Sequence, residues 1–453
     1  MMEPKHISLW EATDDAGQFR MPGGEKTDDR QGRARGLHTD VLVIGGGLCG
    51  ILTAYRLRQN GVACMVAEAE YPGFGTTGRT TAKVTAQHGA KFQKLIDTVG
   101  LDAAGQYLRI NQAAVEEYAA LCRDIDCDFE EKDAYLFALQ EQEHQVLETE
   151  QRALERLRFR SDFVQDVGLP FFKAAGIRFE KQAQLHPLKL LHALCRELEI
   201  LPFTRVRDIK DGAAISENTI IHAKLFVVAT HFPFIDRHGF YFLKMYQQRS
   251  YVIAAKSEYP LNGMYLAARP NGISLRRYGD YLLVGGGGHR TGKKGEGWRA
   301  PENFLKRLPI PARPCYYWAA QDCMTLDTMP YIGPYAKSTP DILVATGFEK
   351  WGMTGSMAAS MLLCDRVMGK DNEYSETFSP SRRILHPGLA VNAGEAVLHL
   401  LAPVGHRCTH MGCALHWNRQ EHSWDCPCHG SRYTPTGNIL DGPTTKKRKH
   451  DEK

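Results

Sequence analysis

A glycine-rich turn near the start of the chain limits the folds that this chain can adopt. Residues 40–44 form a short apolar run that leads into a G-x-G-x-x-G sequence at residues 45–50. Helical periodicity follows over residues 48–60, and a second apolar run at residues 62–67 ends at Glu68. This order of strand, glycine turn, helix and strand is typical of a βαβ unit that binds a dinucleotide. The sequence therefore predicts a Rossmann-like α/β domain.

Each glycine of the turn has an expected role. Gly45 allows the tight turn, Gly47 lets the backbone approach a pyrophosphate, and Gly50 lets helix and strand pack closely. The helix N-terminus would supply amide donors and a positive dipole end. Glu68 lies about 20 residues beyond Gly47, where a ribose-binding carboxylate belongs. The turn by itself does not distinguish FAD from NAD.

Two later segments favour FAD. Residues 225–231 form an apolar strand that ends in Ala-Thr230, and residues 343–354 combine a strand, a glycine loop and a helix start. With the glycine turn they resemble the D-amino-acid oxidase and glycine oxidase superfamily over roughly residues 38–370. The resemblance implies that a helix N-terminus would stabilise negative charge on the reduced flavin. The flavin-contacting residues that it adds are Thr230, Gly347, Gly352, Met353 and Thr354. A second fingerprint does not follow any strand, so a separate NAD(P) domain is not expected.

A loop rich in glycine and threonine, Gly75–Lys83, follows the second strand. It could be a flexible connection. It also resembles a loop that wraps the flavin in a subgroup of bacterial FAD-dependent oxidoreductases with a C-terminal Rieske domain. This resemblance assigns Thr76, Thr77, Thr80 and Lys83 to the cofactor. Further segments that carry it are Gln87–Gly89, Trp318–Asp322, Asp327–Gly333 and Lys350–Met353.

Two mixed cysteine and histidine pairs lie near the C-terminus. Cys408 and His410 form a C-x-H pair, and Cys426 and His429 form a C-x-x-H pair. A Rieske centre needs such pairs, because two thiolates hold one iron and two neutral imidazoles hold the other. The same four ligands could form a zinc site, but zinc sites usually pair like with like, as C-x2–4-C and H-x3–5-H. The spacing therefore favours a two-iron two-sulfur cluster.

The sequences CTHMGC and CPCHGS that contain these pairs resemble the high-potential Rieske proteins of cytochrome bc-type complexes. The resemblance implies a disulfide between Cys413 and Cys428. It also implies hydroxyl donors to the cluster at Ser431 and Tyr433, which raise its potential. Gly442-Pro443 would begin a proline loop that shields the cluster.

The composition is that of an ordinary globular protein. The 453 residues are 43% hydrophobic and 24% charged, with a net charge of +4, so nucleic acid is not an expected partner. We expect an inserted α+β substrate domain and a minimal all-β Rieske domain, since about thirty residues separate the FAD segment from Cys408. The predicted division is an N-terminal arm at 1–37; the oxidoreductase at 38–375, with FAD-binding parts near 38–110, 180–235 and 320–375 and substrate parts near 111–180 and 236–319; a linker at 376–395; the Rieske domain at 396–445; and a tail at 446–453.

The location of the protein is predicted from what the sequence lacks. No run approaches 18 apolar residues, and residues 1–36 contain no apolar signal-peptide core. Eight of the twelve cysteines are scattered and are expected to be small buried side chains in a reducing cytoplasm. The basic run at 446–449 is interpreted as a solvated tail rather than a targeting signal.

Candidate substrate contacts flank the strand-like segments 251–255 and 281–284. Arg249, Arg276 and Arg290 could clamp a substrate carboxylate, although a solvated strand edge is the favoured explanation for any one of them. Lys350, in the closing segment, is a fourth candidate. Arg277 and His289 flank the same strands, and Gly285–Gly288 is expected to approach the flavin or substrate closely.

The combined prediction is a dehydrogenase of a small amine, amino acid or related substrate. It would pass electrons singly through the Rieske centre to an external one-electron carrier or a quinone-like acceptor. Two alternatives remain open from the sequence: a reductase that receives electrons at the Rieske centre, and a redox sensor without turnover.

Overall fold

The computed structural model describes residues 4–14, 35–309, 311–384, 386–403 and 405–448. Its strands are β1 Arg35–Ile44, β2 Cys64–Ala67, β3 Lys83–Val84, β4 Glu130–Phe137, β5 Asp162–Val164, β6 Gly176–Gln184, β7 Glu199–Leu201, β8 Asp208–Lys210, β9 Ala213–Ile215, β10 Thr219–Val228, β11 Met245–Lys256, β12 Gly263–Ala267, β13 Ser274–Tyr278, β14 Tyr281–Arg290, β15 Arg313–Thr325, β16 Tyr331–Ala336, β17 Thr339–Thr346, β18 His416–Asn418, β19 Ser423–Asp425, β20 Arg432–Tyr433 and β21 Ile439–Asp441.

The helices in the same ranges are α1 Leu9–Ala12, α2 Leu48–Gln59, α3 Phe92–Val99, α4 Leu101–Leu121, α5 His144–Arg156, α6 Pro187–Cys195, α7 Tyr241–Lys244, α8 Arg299–Leu305, α9 Gly352–Val367 and α10 Gly388–Leu401. Short 3-10 turns occur at Thr76–Arg79 and Glu141–Glu143. None of these described helices combines the length and apolar character that crossing a bilayer requires.

The first sheet has the strand order β16-β17-β10-β1-β2-β7, and the pairs from β17 to β7 are parallel. Its central strand β1 is covered on both faces. Val41 and Val43 belong to the hydrophobic cluster that includes helices α2 and α9, whereas Leu42 and Ile44 belong to a second cluster on the other face. Burial on both faces explains why the strand is a continuous apolar run in the sequence.

The second sheet has the order β15-β11-β14-β13-β12-β4-β6-β3 and is mostly antiparallel, except that β12 and β4 run parallel. Its strands come from two stretches of the chain, residues 83–184 and 245–325, so the chain returns to the first sheet twice, for β7 to β10 and for β16 and β17. A third sheet, β18-β19-β20-β21, is small and antiparallel. The predicted α/β fold with a small all-β domain is confirmed.

Both ends of the described chain are more firmly packed than the sequence indicated. Trp10, in the predicted N-terminal arm, is fully buried, and its indole N–H donates to the Thr80 carbonyl at 2.6 Å. Arg448, in the predicted solvated tail, is buried, and its amide donates to the Gly437 carbonyl at 2.9 Å. Residues 15–34 and 449–453 of these two segments lie outside the described residues.

Candidate functional site

The glycine turn opens onto a cavity of about 650 Å³ between the first two sheets. Gly45 has a φ of +116°, and a Cβ atom there would lie 2.4 Å from the Ala229 carbonyl oxygen. A Cβ on Gly50 would lie 1.9 Å from the Gly45 carbonyl oxygen, so α2 crosses the turn at backbone contact. Gly47 is the N-cap of α2 and faces the cavity. The turn therefore leaves its backbone accessible where α2 begins.

Most of the sequence-predicted cofactor residues line this one cavity. Those in its wall are Gly45, Gly47, Glu68, Thr76, Thr77, Thr80, Lys83, Thr230, Gly352 and Met353, together with the substrate candidate Lys350. Gly50, Gly347 and Thr354 lie behind the wall, where they fix the turn and the start of α9.

Hydrogen bonds hold the turn and the threonine loop in place. The Glu68 carboxylate accepts from the amides of Gly46 at 2.6 Å and Glu70 at 2.8 Å. Burial raises the pKa of Glu68, and these two amides act in the opposite direction. The Leu48 amide, at the N-terminus of α2, donates to the Thr77 hydroxyl at 2.9 Å. Residues far apart in the sequence thus form one preorganised wall.

The segment that enters α9 has an unusual backbone. Glu349 and Lys350 have φ values of 51° and 73°, a left-handed conformation that is uncommon for residues with side chains. Gly352 follows, and a Cβ atom there would meet nothing within 4 Å, so the N-terminus of α9 opens into the cavity. This geometry directs a positive dipole end at whatever occupies the cavity.

A polar network that the sequence analysis missed lies beside this segment. The Lys91 ammonium donates to the Glu349 carboxylate at 3.2 Å and to the Tyr107 hydroxyl at 2.9 Å. His88 Nε2 lies 2.7 Å from the Thr85 carbonyl, which can only accept, so Nδ1 accepts from the Tyr107 hydroxyl at 2.6 Å. Burial, and then the Lys91 charge, hold the pKa of His88 well below its usual value. Lys91, Glu349 and His88 all line the cavity.

Two further lysines reach the cavity wall. Lys83 donates to the Tyr265 carbonyl at 2.9 Å and to the Ser274 hydroxyl, and burial followed by the Arg276 charge lowers its pKa to about 7. Lys350 donates to the Asn271 side chain at 3.1 Å. Desolvation in the cavity wall lowers the pKa of Lys350, although the charges of Asp322 and Glu349 act in the opposite direction. The cavity wall therefore contains one lysine, Lys83, whose charge can change near neutral pH.

The three arginine candidates do not line the cavity. Arg276 is fully buried and donates to the carbonyls of Thr81 at 2.9 Å and Ala82 at 2.6 Å. Arg249 pairs with Glu421. Arg290 donates to the Pro427 carbonyl at 3.3 Å. The substrate-clamp hypothesis fails for these residues because backbone carbonyls and the small domain already occupy their guanidinium groups.

The other residues singled out beside these strands are Arg277, His289 and the glycines at 285–288. Arg277 donates to the Gly279 carbonyl at 2.7 Å, and the His289 ring stacks on Tyr251 with centroids 5.5 Å apart. In the predicted glycine approach, Gly285, Gly286 and Gly288 line the cavity. That stretch belongs to strand β14 rather than to a loop.

The cysteine and histidine pairs lie on two loops of the third sheet. The first loop connects α10 to β18, and the second connects β19 to β20. The imidazole rings of His410 and His429 are 5.0 Å apart, and the Nδ1 atom of each ring is buried without a hydrogen-bond partner among the described residues. Two such inward nitrogens beside four buried thiols are a donor set that fits a two-iron two-sulfur cluster.

The tightest group of donor atoms differs in part from the predicted ligand set. Ligand atoms of Cys413, Cys426 and His429 lie within 4.8 Å of one another, and Cys408 and His410 do not belong to this group. Cys413 and Cys428 are free thiols in this structure, and the disulfide expected between them stays a prediction. The Cys413 thiol interacts with those of both Cys426 and Cys428, and these hydrogen bonds lower its pKa.

The loop beginning at Gly442-Pro443 lies between the two sites. A Cβ atom on Gly442 would fall 2.5 Å from the Ser431 Cα atom, so this loop covers the second ligand loop at backbone contact. Residues 439–445 also line the large cavity. One short segment therefore touches the cysteine and histidine site and forms part of the cavity wall.

A buried charge network fastens the small domain to the second sheet. Arg249 is only 2% exposed and pairs with Glu421, which also accepts from the Tyr251 hydroxyl at 3.1 Å. Arg432 pairs with Glu421 at 2.8 Å and with Asp425 at 2.9 Å. Burial alone would raise the pKa of Glu421, but the charges of Arg249 and Arg432 lower it to about 2.

His410, in the first ligand loop, also contacts the segment that follows β10 of the first sheet. His410 Nε2 lies 2.7 Å from the Asp236 carboxylate, which follows β10. This contact leaves Nδ1 of the same ring directed into the cysteine and histidine site. Gln321 adds a further link, because its side-chain amide donates to the Gly430 carbonyl at 2.8 Å.

Family comparisons agree with both sites. Residues 40–366, more than half of the chain, match the FAD dependent oxidoreductase family, and residues 381–450 match the Rieske [2Fe-2S] domain. The chain belongs to the FAD dependent oxidoreductase family and has a C-terminal Rieske domain. It is an FAD-dependent enzyme whose second cofactor is a two-iron two-sulfur cluster.

Individual relatives show how far the likeness extends. The chain is 37% identical to YhfW of Bacillus subtilis, a Rieske 2Fe-2S iron-sulfur protein by its description, over 90% of this chain and 92% of that one. It is 36% identical to cytochrome b6-f complex iron-sulfur subunit 3 of Nostoc over 21% of this chain and 54% of that protein. Glycine oxidase from Geobacillus kaustophilus has the same fold, with a TM-score of 0.64 and 19% identity, over 77% of this chain and 100% of that one.

Proposed function

We propose that this enzyme oxidises a small amine, amino acid or related substrate and passes the electrons singly through its Rieske centre to an external acceptor. The observation that carries the proposal is the segment at residues 439–445, which lines the cavity and covers the second ligand loop. Two redox cofactors separated by one short segment are suited to electron transfer between them.

The cofactors supply the redox chemistry: FAD takes a hydride equivalent and can release electrons singly, and the cluster accepts one electron at a time. The residues proposed to hold FAD are those of the glycine turn, Glu68, the threonine loop and the start of α9. The proposed cluster ligands are Cys408, His410, Cys426 and His429. A Cys413–Cys428 disulfide in the mature protein is part of the same proposal, supported by the interaction of the two thiols.

The cavity wall offers groups for binding and deprotonating such a substrate. With a pKa of about 7, the Lys83 amine can accept a proton from a substrate ammonium near neutral pH. Lys350, held by Asn271, can attract a carboxylate. Lys91 and Glu349 form a buried salt bridge beside the start of α9. The fold shared with glycine oxidase supports an amine or amino acid as substrate, and these cationic groups are compatible with one that carries a carboxylate.

The acceptor is proposed to be a one-electron carrier or a quinone-like molecule, as a cluster that transfers single electrons requires. A cytoplasmic location is proposed with it. Its support is the set of eight scattered thiols outside the cluster domain, all of which are free.

The proposal is tested by mixing the oxidised protein with a panel of amines and amino acids under anaerobic conditions. We expect a substrate to bleach the flavin first and to produce the paramagnetic signal of the reduced cluster afterwards. His429→Ala should keep the bleaching and lose the later signal. Flavin that is reduced only when an external donor first reduces the cluster would instead show that electrons flow in the opposite direction.

A further inference from the structure

Helix α10 is attached to the protein by its polar side. The Asn392 side-chain amide donates to the carbonyls of Leu243 at 3.0 Å and Met245 at 3.3 Å. One turn later, Glu395 pairs with Lys293 at 2.7 Å. A surface helix usually buries its apolar stripe and exposes its polar residues. Helix α10 does the reverse.

Large aliphatic side chains occupy the outward side of the same helix. The α10 face, which we define as Val391, Val397, Leu398 and Leu401, has exposed fractions of 57%, 53%, 68% and 77%. Val397, Leu398 and Leu401 lie on the side of an α-helix opposite Asn392, and Val391 lies at the edge of that side, one turn before Glu395. Single exposed aliphatic residues are ordinary, but a contiguous group on one helix marks a surface that meets an apolar partner.

The C-terminal end of α10 contacts the first ligand loop of the Rieske domain. The Leu400 side chain lies 3.8 Å from where a Cβ atom on Gly412 would be, and the Arg407 guanidinium donates to the carbonyls of both residues. Met411, in the ligand loop itself, is 36% exposed. An apolar partner on this face would therefore approach the cluster.

Basic groups flank this surface. Lys446 and Lys447 are exposed, and the Lys446 carbonyl accepts from the Thr409 hydroxyl at 2.6 Å, which places it beside the ligand loop. Arg383 is exposed just before α10 begins. Between Arg383 and Cys408 the sequence contains a single carboxylate, Glu395, and Lys293 already neutralises it.

These features distinguish between possible partners. A second copy of the chain would bring like charges together across a two-fold axis, because the same basic groups would face each other. A partner protein normally forms about one hydrogen bond for each 100–200 Å² of interface, and the α10 face offers only aliphatic side chains. A bilayer interface needs no hydrogen bonds from such a face, and anionic headgroups complement basic residues beside it.

We propose that the α10 face docks on an anionic membrane surface, with its aliphatic side chains at the headgroup boundary and Arg383, Lys446 and Lys447 near lipid phosphates. This binding does not depend on the direction or substrate of the redox reaction. Its consequence, that the cluster loop faces an acceptor dissolved in the lipid, rests on the proposed function.

The test is co-sedimentation of the full-length holoprotein with vesicles of phosphatidylcholine and phosphatidylglycerol, compared with phosphatidylcholine alone. We expect binding to the anionic vesicles and at least about a tenfold loss of partitioning in the double variant Leu398→Gln, Leu401→Gln. Glutamine is a good helix former, and both positions are exposed, so the fold should be retained. Leu101→Gln with Phe163→Gln, two exposed apolar residues of the oxidoreductase part, is the matched control and should bind as the wild type does.

A second variant tests the charges separately. Lys446→Glu with Lys447→Glu should weaken binding to anionic vesicles, and added salt should weaken wild-type binding in the same direction. Wild-type protein that remains in the supernatant with anionic vesicles overturns the proposal, as does unchanged binding of the Leu398 and Leu401 double variant. A wild-type dimer that this double variant converts to a monomer would assign the face to a second copy and overturn it too. Flavin bleaching by substrate needs no vesicles, so its failure would count against the proposed function and not against docking.

Discussion

The hydrophobic cores of the oxidoreductase part and the Rieske part of this molecule differ in their residue composition. Aliphatic and aromatic side chains on both faces of the first sheet fill the two clusters around it. The core of the Rieske part consists of Cys408, Cys413, Leu415, Cys426, Cys428 and Tyr433. Four of these six residues are cysteines, so most of its buried side chains are also candidate cluster ligands or their neighbours.

The comparison suggests that the two parts depend on their cofactors to different degrees. A sheet with large apolar clusters can remain folded when its cavity is empty, because hydrophobic burial supplies its stability. A small module whose core is formed by metal-binding groups takes much of its folding free energy from the metal. The predictions below test this difference, starting with the largest expected effect.

His429→Ala should remove the cluster and the order of the Rieske module, while FAD remains bound. The wild type, prepared anaerobically, should contain about two irons and two sulfides per chain, with one FAD. Iron, sulfide and flavin analysis, with hydrogen exchange over residues 405–448, measures both effects. His416→Ala, an exposed histidine of the same module, is the control. Stoichiometric zinc in iron-replete protein would contradict the cluster assignment.

Gly47→Val and Gly50→Ala should separate cofactor binding from folding in the oxidoreductase part. A Cβ atom on Gly47 would meet only the Thr77 hydroxyl at 3.3 Å, so Gly47→Val should fold but lose FAD. A Cβ atom on Gly50 would lie 1.9 Å from a backbone oxygen, so Gly50→Ala should lower the melting temperature as well. Flavin content and thermal unfolding distinguish the two. Full flavin content in Gly47→Val would show that the turn does not approach the pyrophosphate.

Glu421→Gln should loosen the contact between the two parts, because it leaves Arg249 buried without its counter-charge. Breaking a buried pair in this way costs about 3–5 kcal/mol. Asp162→Asn is the matched control, because Asp162 and its partner Arg178 are 38% and 33% exposed and such pairs contribute about 0–1 kcal/mol. Denaturant unfolding, followed by flavin fluorescence and by cluster absorbance, measures the difference. Equal losses in the two variants would mean that the ion pair does not fasten the domains.

Because Glu421 is a carboxylate, we also expect the contact between the oxidoreductase part and the Rieske part to depend on pH in the acid range. The pKa of Glu421 falls from the ordinary value of 4.5 to about 2 in the folded protein. Its contribution to stability is therefore fully present above about pH 4.5 and is lost as the pH falls towards 2. Glu421→Gln should remove this part of the pH dependence between those limits. Acid titration of cluster absorbance in both proteins checks it, and identical curves would exclude Glu421 as the cause.

Local patterns in the sequence were sufficient for the elements of both sites. The helix expected over residues 48–60 is α2, which spans Leu48–Gln59. The glycine turn and the cysteine and histidine loops depend on neighbouring residues, so their spacing could be interpreted directly. The predicted linker at 376–395 contains the first part of α10, and no pattern in the sequence indicated that the aliphatic side of this helix would be exposed.

Contacts between distant residues could not be predicted in this way. Arg249 meets Glu421, which lies 172 positions further along the chain, and Lys91 meets Glu349 across 258 positions. An arginine beside a strand looks the same in the sequence whether it binds a substrate or another domain. The signal that could have separated them was the single carboxylate in Gln420-Glu421-His422, beside the ligand loops, but charge alone does not identify a partner.

The smallest expected effect concerns the hydroxyl groups around the cluster. The Tyr433 hydroxyl is fully buried and lies 3.4 Å from the Cys408 sulfur, while it accepts from the Thr409 amide at 3.0 Å. Its own proton is therefore available to the sulfur, although the Thr409 hydroxyl at 3.0 Å is a competing acceptor. Ser431 is fully buried as well.

Tyr433→Phe and Ser431→Ala should each lower the midpoint potential of the cluster, because each removes a donor that stabilises the additional electron. A hydrogen bond to a charged group contributes about 1.5–3 kcal/mol, which corresponds to about 60–130 mV for one electron. Protein-film voltammetry measures the shift, and the flavin potential in the same proteins is the internal control. An unchanged cluster potential in Tyr433→Phe would mean that its proton is donated to Thr409. In that case the likeness to the cytochrome b6-f subunit would include the ligand loops but not the hydroxyl groups that set the midpoint potential of the cluster.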